Sequence, residues 1–313
     1  MNQKPRLLIV GSINRDIIFY QPEAMELQKN GQLAFANYEF YNGGKAANQA
    51  VVAKKLGIEP VLVGAVGKDS DGDSMIRELT ETGVDTRFVK QLEGVHTGLT
   101  TILTMPDSSY FSTNVRGGND YITPEMVREA MDAQDIDMLL MQLEMPLETV
   151  YGAYKLAQER NIPVVLDAGP PQHLDMSRLN GIFMISPNEA ETEGLTGIPV
   201  PDDESALRAA RRLQSQTNAR YVLLKLGGRG AFLLDGDRSA SFPAFKIDCV
   251  DTTAAGDTFT TALAKQLCLG YSIEDSIRYA NAAGALCVSR KGGLISVPDA
   301  EEVDKFLEQH RED

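Results

Sequence analysis

The run Asp251-Thr252-Thr253-Ala254-Ala255-Gly256-Asp257-Thr258-Phe259 combines carboxylates with very small residues. Nothing larger than a methyl group stands on Ala254, Ala255 or Gly256, so a ligand can approach the main chain closely. A helix that began here would present unpaired N–H groups and the positive end of its dipole. Such a place holds phosphate or a developing oxyanion. Asp257 stands at the same helix start, which puts a carboxylate beside an anion pocket. That pairing suits phosphoryl transfer: the amides hold the charge of the moving group, and the carboxylate takes a proton from an attacking hydroxyl. The plainer reading is an Asp that only caps a helix, and the local residues leave both open.

The elements around this turn must hold it still. Phe245 to Val250 reads as a strand leading in, and Asp257 to Leu269 as a helix leading out, with Phe259, Ala262, Leu263, Gln266 and Leu267 at helical spacing. Upstream, Leu7 to Val10 reads as a buried strand followed directly by the polar Gly11-Ser12-Ile13-Asn14-Arg15-Asp16. Polar residues just past a parallel strand's carboxyl end sit where α/β sheets bind ligands. Gly43-Gly44-Lys45 opens a helix running to about Leu56. The glycine pair can be a hinge, an anion-facing turn or a simple loop, and its spacing is not that of a Walker P-loop.

From Pro60 onward strands and helices alternate. The strands read as Val61 to Val66, Met138 to Leu143, Val164 to Asp167, Ile182 to Ile185, Tyr221 to Leu226 and Ala231 to Leu234. Helices read as Ser70 to Thr82, one opening at Thr123-Pro124, Leu147 to Arg160, Asn188 to Leu195, Ala206 to Gln214, Ile273 to Val288 and Val303 to Gln309. This rhythm predicts a three-layer α/β body around a largely parallel sheet. Ile17 to Tyr20, Leu33 to Phe40, Thr97 to Met105 and Tyr110 to Val115 fall outside the rhythm and predict a small sheet projecting from it.

The composition sets limits. With 313 residues and 43% hydrophobic content the chain can build well-buried cores. A net charge of −14 argues against a general nucleic-acid surface, and requires that any bound phosphate be neutralised locally. Cys249, Cys268 and Cys287 form no C-x-x-C pair, and three histidines do not make a histidine-rich metal site. No run is long enough to span a bilayer, and four apolar residues from Leu7 to Val10 are too few for a signal peptide, so the expected location is cytoplasmic.

Several stretches, in order, resemble the PfkB-type carbohydrate kinase family almost end to end. They are Gly11-Ser12-Ile13-Asn14 with Asp16, Gly43-Gly44-Lys45 with Ala47-Asn48-Gln49-Ala50, and Met141-Gln142-Leu143-Glu144. They continue with Pro187-Asn188-Glu189 with Glu191, Leu195-Thr196-Gly197, the 251–259 run, and Arg290-Lys291-Gly292. The resemblance implies a ribokinase-like αβα fold in one kinase domain, residues 1–313, with a lid formed by about 15–42 and 96–117. It implies ATP-dependent phosphorylation of the 5-hydroxyl of D-ribose, with deoxyribose or another sugar or nucleoside as the alternative acceptor. A sugar-binding regulator on a dead kinase scaffold is the reading from another class. A homodimer formed through the lids is also implied.

The resemblance assigns roles by position. Asp257 is the base, and the amides of Ala254, Ala255 and Gly256 form the anion hole. Asn14, Asp16, Gly43, Gly44, Lys45, Asn48 and Glu144 hold the sugar. Asn188 and Glu191 position Mg²⁺, phosphate and water; without the family, a capping Asn and an exposed Glu is the plainer reading. Lys225, Gly227, Gly228 and Gly230 fall on the nucleotide loop and Asn281 on the adenine side, although the glycine run alone reads equally as a hairpin turn. Asp251, Thr253, Cys287, Arg290, Gly292 and Ser296 match a monovalent-cation (K⁺) loop, mostly through carbonyl oxygens. The sequence departs from the family pattern at Ala46, at Met25 to Asn30 and at Pro106 to Tyr110, which bears on sugar identity.

Overall fold

The computed structural model describes residues 4–21, 36–105 and 110–311. The chain opens with β1 (Arg6–Val10), an apolar run of the kind a parallel sheet buries on both faces. β2 (Asn14–Tyr20) and β3 (Asn37–Gly43) then leave the body. Gly44 returns the chain at φ 85° into α1 (Lys45–Lys55), and a Cβ there would lie 2.6 Å from the Ser12 carbonyl oxygen, so only glycine fits the turn. β4 (Glu59–Gly67), α2 (Ser70–Glu81) and β5 (Asp85–Leu92) follow, before β6 (Gly98–Thr104) and β7 (Tyr110–Val115) leave the body again. The middle of the chain is α3 (Pro124–Ala133), β8 (Met138–Met141), α4 (Leu147–Glu159), β9 (Val164–Asp167), β10 (Met184–Ser186), α5 (Glu189–Thr196), α6 (Asp203–Thr217) and β11 (Tyr221–Lys225). A hairpin of β12 (Ala231–Asp235) and β13 (Arg238–Phe242) precedes α7 (Ala255–Cys268), α8 (Ile273–Val288) and α9 (Ala300–Gln309).

The main sheet has nine strands in the order β13-β12-β11-β10-β9-β8-β1-β4-β5, parallel except for the β12 and β13 pairings. Alternation along each strand feeds two cores. Leu8 and Val10 of β1 join α3, α4 and α6 on one face, whereas Leu7 and Ile9 join α1, α2, α7, α8 and α9 on the other. This is the three-layer body expected. The carboxyl ends of β1, β8, β9, β10 and β11 meet along one edge, which gathers Ser12, Glu144, Asp167, Asn188 and Lys225 from distant parts of the chain.

The second sheet runs β3-β2-β6-β7. Asp16 stands opposite Tyr41 on one side and Thr100 on the other, so these share a face with Asn14. That face turns to the body: the Asp16 carboxylate lies against Gly43, where an added Cβ would be 2.0 Å from it. The opposite face carries Ile17, Phe19, Tyr38, Phe40, Leu103, Phe111 and Val115.

Two expectations fail. Phe245 to Val250 forms no strand; Phe245 packs edge-on against Phe306 with ring centroids 5.1 Å apart, and Val250 donates its N–H to Val288. β5 and β13 were not expected as strands, because both are edge strands with polar residues on the open side. The expected strand residues 33–35, the connection from 25 to 30 and the turn at 106–109 lie outside the described residues.

Candidate active site

Asp257 stands in the first turn of α7, 7% exposed. Its Oδ1 accepts from Lys45 Nζ and Gln49 Nε2, both at 3.3 Å, and its Oδ2 accepts from Asn48 Nδ2 at 3.0 Å. All three donors come from the first turns of α1, so one helix start aims at the other. The turn before α7 differs in detail from the expected anion hole. Ala254 adopts the left-handed region at φ 62°, and the Ala255 N–H bonds the Thr252 carbonyl at 3.2 Å. Among the described residues the N–H groups of Ala254, Gly256 and Asp257 have no acceptor, and of the three expected donors only that of Ala255 is used within the turn.

A polar recess lies under the small sheet. Ser12 Oγ donates to Glu144, and the Lys45 N–H points to both, at 2.9 Å from Ser12 Oγ and 3.3 Å from Glu144 Oε2. The Asn14 side chain is fixed by Asn119 Nδ2 at 2.7 Å, and Asn119 accepts from the Ile13 N–H at 2.9 Å. Gly43 gives the Asp16 carboxylate room, and Gly44 turns the backbone between Ser12 and Asn14. Burial pushes the Asp16 carboxyl up to about 6; the Thr100 hydroxyl opposes that shift, Glu144 and Asp257 add to it, and Arg15 counters it. Asp16 Oδ1 and Asn48 Oδ1 are buried without a protein partner. A buried acceptor left that way is costly, so both are poised for ligand donors.

On the other side of Asp257 a cavity of about 640 Å³ opens. It brings together the expected Asn188, Glu191, Lys225, Gly227, Gly228, Gly230, Gly256 and Asn281, and it also reaches Lys45. Phe245 to Ile247 forms one wall, which is what the expected strand does instead. Asn188 caps α5 and forms a reciprocal pair with Glu191: each side chain accepts the other's N–H, at 2.9 and 2.7 Å. The plainer reading of Asn188 therefore holds in part, but Glu191 is buried, not exposed. Asn281 Nδ2 donates to the carbonyls of Phe242 and Pro243 at 3.3 and 3.2 Å, tying α8 to the wall. Gly230 serves the chain turn, since a Cβ there would strike the Phe242 carbonyl, whereas one on Gly228 would meet nothing.

Three functional residues went unassigned from sequence. Asp167, wholly buried, accepts from Lys225 through Oδ1 and from Lys45 and Gln49 through Oδ2, both at 3.0 Å. Gln142 in turn donates to Gln49. Burial opposes ionisation of Asp167, but the two ammonium groups hold its carboxyl below the usual range. Burial likewise opposes the Lys45 charge, yet Asp167, Asp257, Glu191 and Glu144 keep it protonated well above the ordinary lysine range. The available signal for Asp167 was an acid at the carboxyl end of an apolar strand.

The third predicted group lies beside the turn. Asp251 Oδ1 accepts from the Thr253 N–H at 2.9 Å and Oδ2 from the Gly292 N–H at 3.1 Å. Burial would raise its carboxyl, but these donors hold it below the usual range. Cys287 Sγ lies 3.4 Å from Ser296 Oγ and 3.7 Å from the Thr253 carbonyl. The Arg290 side chain turns away to Glu302 at 2.6 Å, leaving only its carbonyl for the loop.

Known proteins resemble this chain over most of its length. The pfkB family carbohydrate kinase model matches residues 4–300. The chain is 36% identical over 305 residues to a ribokinase of Haemophilus influenzae, covering 96% of this chain and 98% of the relative. It is 32% identical over 304 residues to a deoxyribokinase of Salmonella typhimurium, with 96% and 98% covered. The solved structure of Arabidopsis thaliana ribokinase complexed with ribose and ATP superposes with a TM-score of 0.88 at 32% identity, covering 97% of this chain and 99% of that one.

Proposed function

The chain belongs to the pfkB family of carbohydrate kinases, and we propose that within it this enzyme transfers the γ-phosphate of ATP to the 5-hydroxyl of D-ribose. One observation carries the reading: Asp257 and the open N–H groups of Gly256 and Asp257 stand at the join between the polar recess and the 640 Å³ cavity. The sugar enters the recess and gives hydroxyl protons to Asp16 Oδ1 and Asn48 Oδ1. Its 5-hydroxyl then reaches Asp257, which takes the proton as the oxygen attacks the γ-phosphorus. The new O–P bond forms as the bond to the β-phosphate oxygen breaks, and ADP leaves. The N–H donors, with Lys45, balance the charge on the moving group. Glu144 and Asn14 hold the recess in shape. The small sheet acts as lid, hinged at Gly43-Gly44, and excludes water from the reacting phosphate.

Two ions belong to this reading. Among the described residues no group of three or more His, Cys, Asp and Glu side chains is set to hold a metal. Asn188 and Glu191 line the cavity together, so they are the residues that would hold Mg²⁺ beside a bound nucleotide, where the ion would supply charge neutralisation. Oxygen donors at Asp251, Thr253, Cys287, Arg290, Gly292 and Ser296 would hold K⁺, and the ion would order the turn before α7.

The apolar outer face of the small sheet supports a homodimer formed through the lids, and a cytoplasmic location belongs to the same reading. A coupled ADP-release assay across pentoses, hexoses and nucleosides tests the substrate. The expected result is preferred turnover of D-ribose, and none with ribose would sink the proposal. The deoxyribokinase relative makes 2-deoxyribose the second acceptor to measure, because it differs only in the hydroxyl that recess acceptors could read.

A further inference from the structure

Asp167 holds both lysines that face the transfer corner, and Asp257 pairs Lys45 as well. Asp167 ends β9 and is wholly buried, with Oδ1 bonded to Lys225 and Oδ2 bonded 3.0 Å from Lys45. Lys225 ends β11, and its side chain is 10% exposed. A buried ammonium group is costly alone, and Asp167 is the carboxylate that pairs Lys225. Three lysines line the cavity: Lys246 is exposed, Lys45 is half-buried and Lys225 is buried.

We propose that Lys225 is a phosphate-binding cation for the terminal phosphates of the nucleotide, and that Asp167 is a positioning residue that fixes Lys225 and Lys45 on opposite sides of the transfer corner. This rests on the reading of the cavity as the nucleotide site. Lys225 Nζ also lies 3.4 Å from Thr260 Oγ1, one turn into α7 from Asp257, so its ammonium points at the helix that carries the base. Gln49 adds a second connection, because its Nε2 contacts Asp167 at 3.0 Å and Asp257 at 3.3 Å. Gln142 holds the oxygen end of that amide and thereby fixes which end faces the carboxylates. Asp167 thus sets two cations and, through Lys45 and Gln49, one oxygen of the base. A chain with a net charge of −14 needs such local positive charge where a triphosphate docks.

The test is calorimetric binding of ADP and of AMP, without sugar, to the wild type and to Lys225→Met, Lys225→Arg and Asp167→Asn. Lys225→Met is expected to weaken ADP by about tenfold or more while changing AMP far less, since only ADP carries a second phosphate. Lys225→Arg should recover most of that loss. Asp167→Asn should weaken ADP too, and should cost less on the Lys225→Met background than alone, as expected of a residue acting through Lys225. Should Lys225→Met fail to fold, the double variant Asp167→Asn/Lys225→Met leaves no unpaired carboxylate and is read by the same ADP-to-AMP ratio. An unchanged ratio, with melting temperature alone reduced, overturns the inference and makes the trio purely structural. A wild type that turns over sugar while its variants keep that ratio defeats only this inference. A wild type that neither binds ADP nor turns over sugar defeats the reading of the cleft as well.

Discussion

Asp257 is held from both sides before any substrate arrives, with Lys45 and Gln49 on one oxygen and Asn48 on the other. Those donors fix where its two oxygens point, as a base requires. Asp257→Asn keeps the shape and removes the proton acceptor, so kcat should fall by roughly 10²–10⁴-fold with sugar affinity largely kept. Loss of sugar binding in equal measure would point to a site that only binds. Asp16 gives a pH signature of its own. Its carboxyl is raised from 3.8 to about 6, chiefly by burial, so the acid form dominates in the folded protein below about pH 6. If the carboxylate accepts the sugar's hydroxyls, KM for sugar should rise as pH falls through 6, and Asp16→Asn should flatten that profile. The linkage has the opposite sign for stability. A raised carboxyl favours folding while protonated and withdraws that support as pH climbs from about 4 to about 6. Asp16→Asn should therefore raise the melting temperature at pH 8 even as it weakens sugar binding. A variant that lowers both would show that Asp16 mainly braces Gly43 and Thr100.

At the scale of elements, helix starts do most of the placing: α1 supplies Lys45, Asn48 and Gln49, α7 supplies Asp257, and α5 carries the Asn188–Glu191 capping pair. Asn188→Ala removes one half of that pair and should cost about 1 kcal/mol of stability and raise KM for ATP. Asn188→Ser restores the cap and should restore the melting temperature; if KM for ATP stays high, the amide itself faces the phosphates. Much of this layer was legible beforehand. Apolar runs such as Leu7 to Val10 can only be strands of a sheet buried on both faces, and the small residues before Asp257 announce a close approach to backbone. Which residues meet across strands was not legible. Asp167 and Lys225 are 58 residues apart, and nothing near either one says that β9 and β11 flank the same strand. The 245–250 stretch misled because an aromatic and β-branched run serves a cavity wall as well as a strand. Of the three N–H groups expected to face an anion, that of Ala255 is the one the turn uses itself, since the left-handed Ala254 directs it back to the Thr252 carbonyl.

Across the whole molecule, the two faces of the small sheet differ in kind. The face toward the body is polar, with Asn14, Asp16 and Thr100, whereas the other exposes Tyr38 and Phe40 at 57% each, Val115 at 54% and Phe111 at 53%. Register makes those residues neighbours: Tyr38 pairs with Phe19, Phe19 with Leu103 and Leu103 with Phe111 in one row across the four strands. A continuous apolar row on a thin sheet is the kind of patch that another surface covers. A second copy of the same sheet offers the same row, and a two-fold pairing closes on itself without leaving a further patch open. The net charge of −14 opposes that approach, but physiological salt screens it beyond about 8 Å, so added salt should favour association. Light scattering at micromolar concentration is expected to give a dimer. Phe40→Ser combined with Phe111→Ser should give a folded monomer with an unchanged core, since neither residue joins the two main clusters. That monomer should show a raised KM for sugar with KM for ATP little altered, because no strand of the small sheet lines the 640 Å³ cavity proposed for the nucleotide. A monomeric wild type would leave the row without a partner and remove the dimer from the account, while leaving the chemistry at Asp257 as it stands.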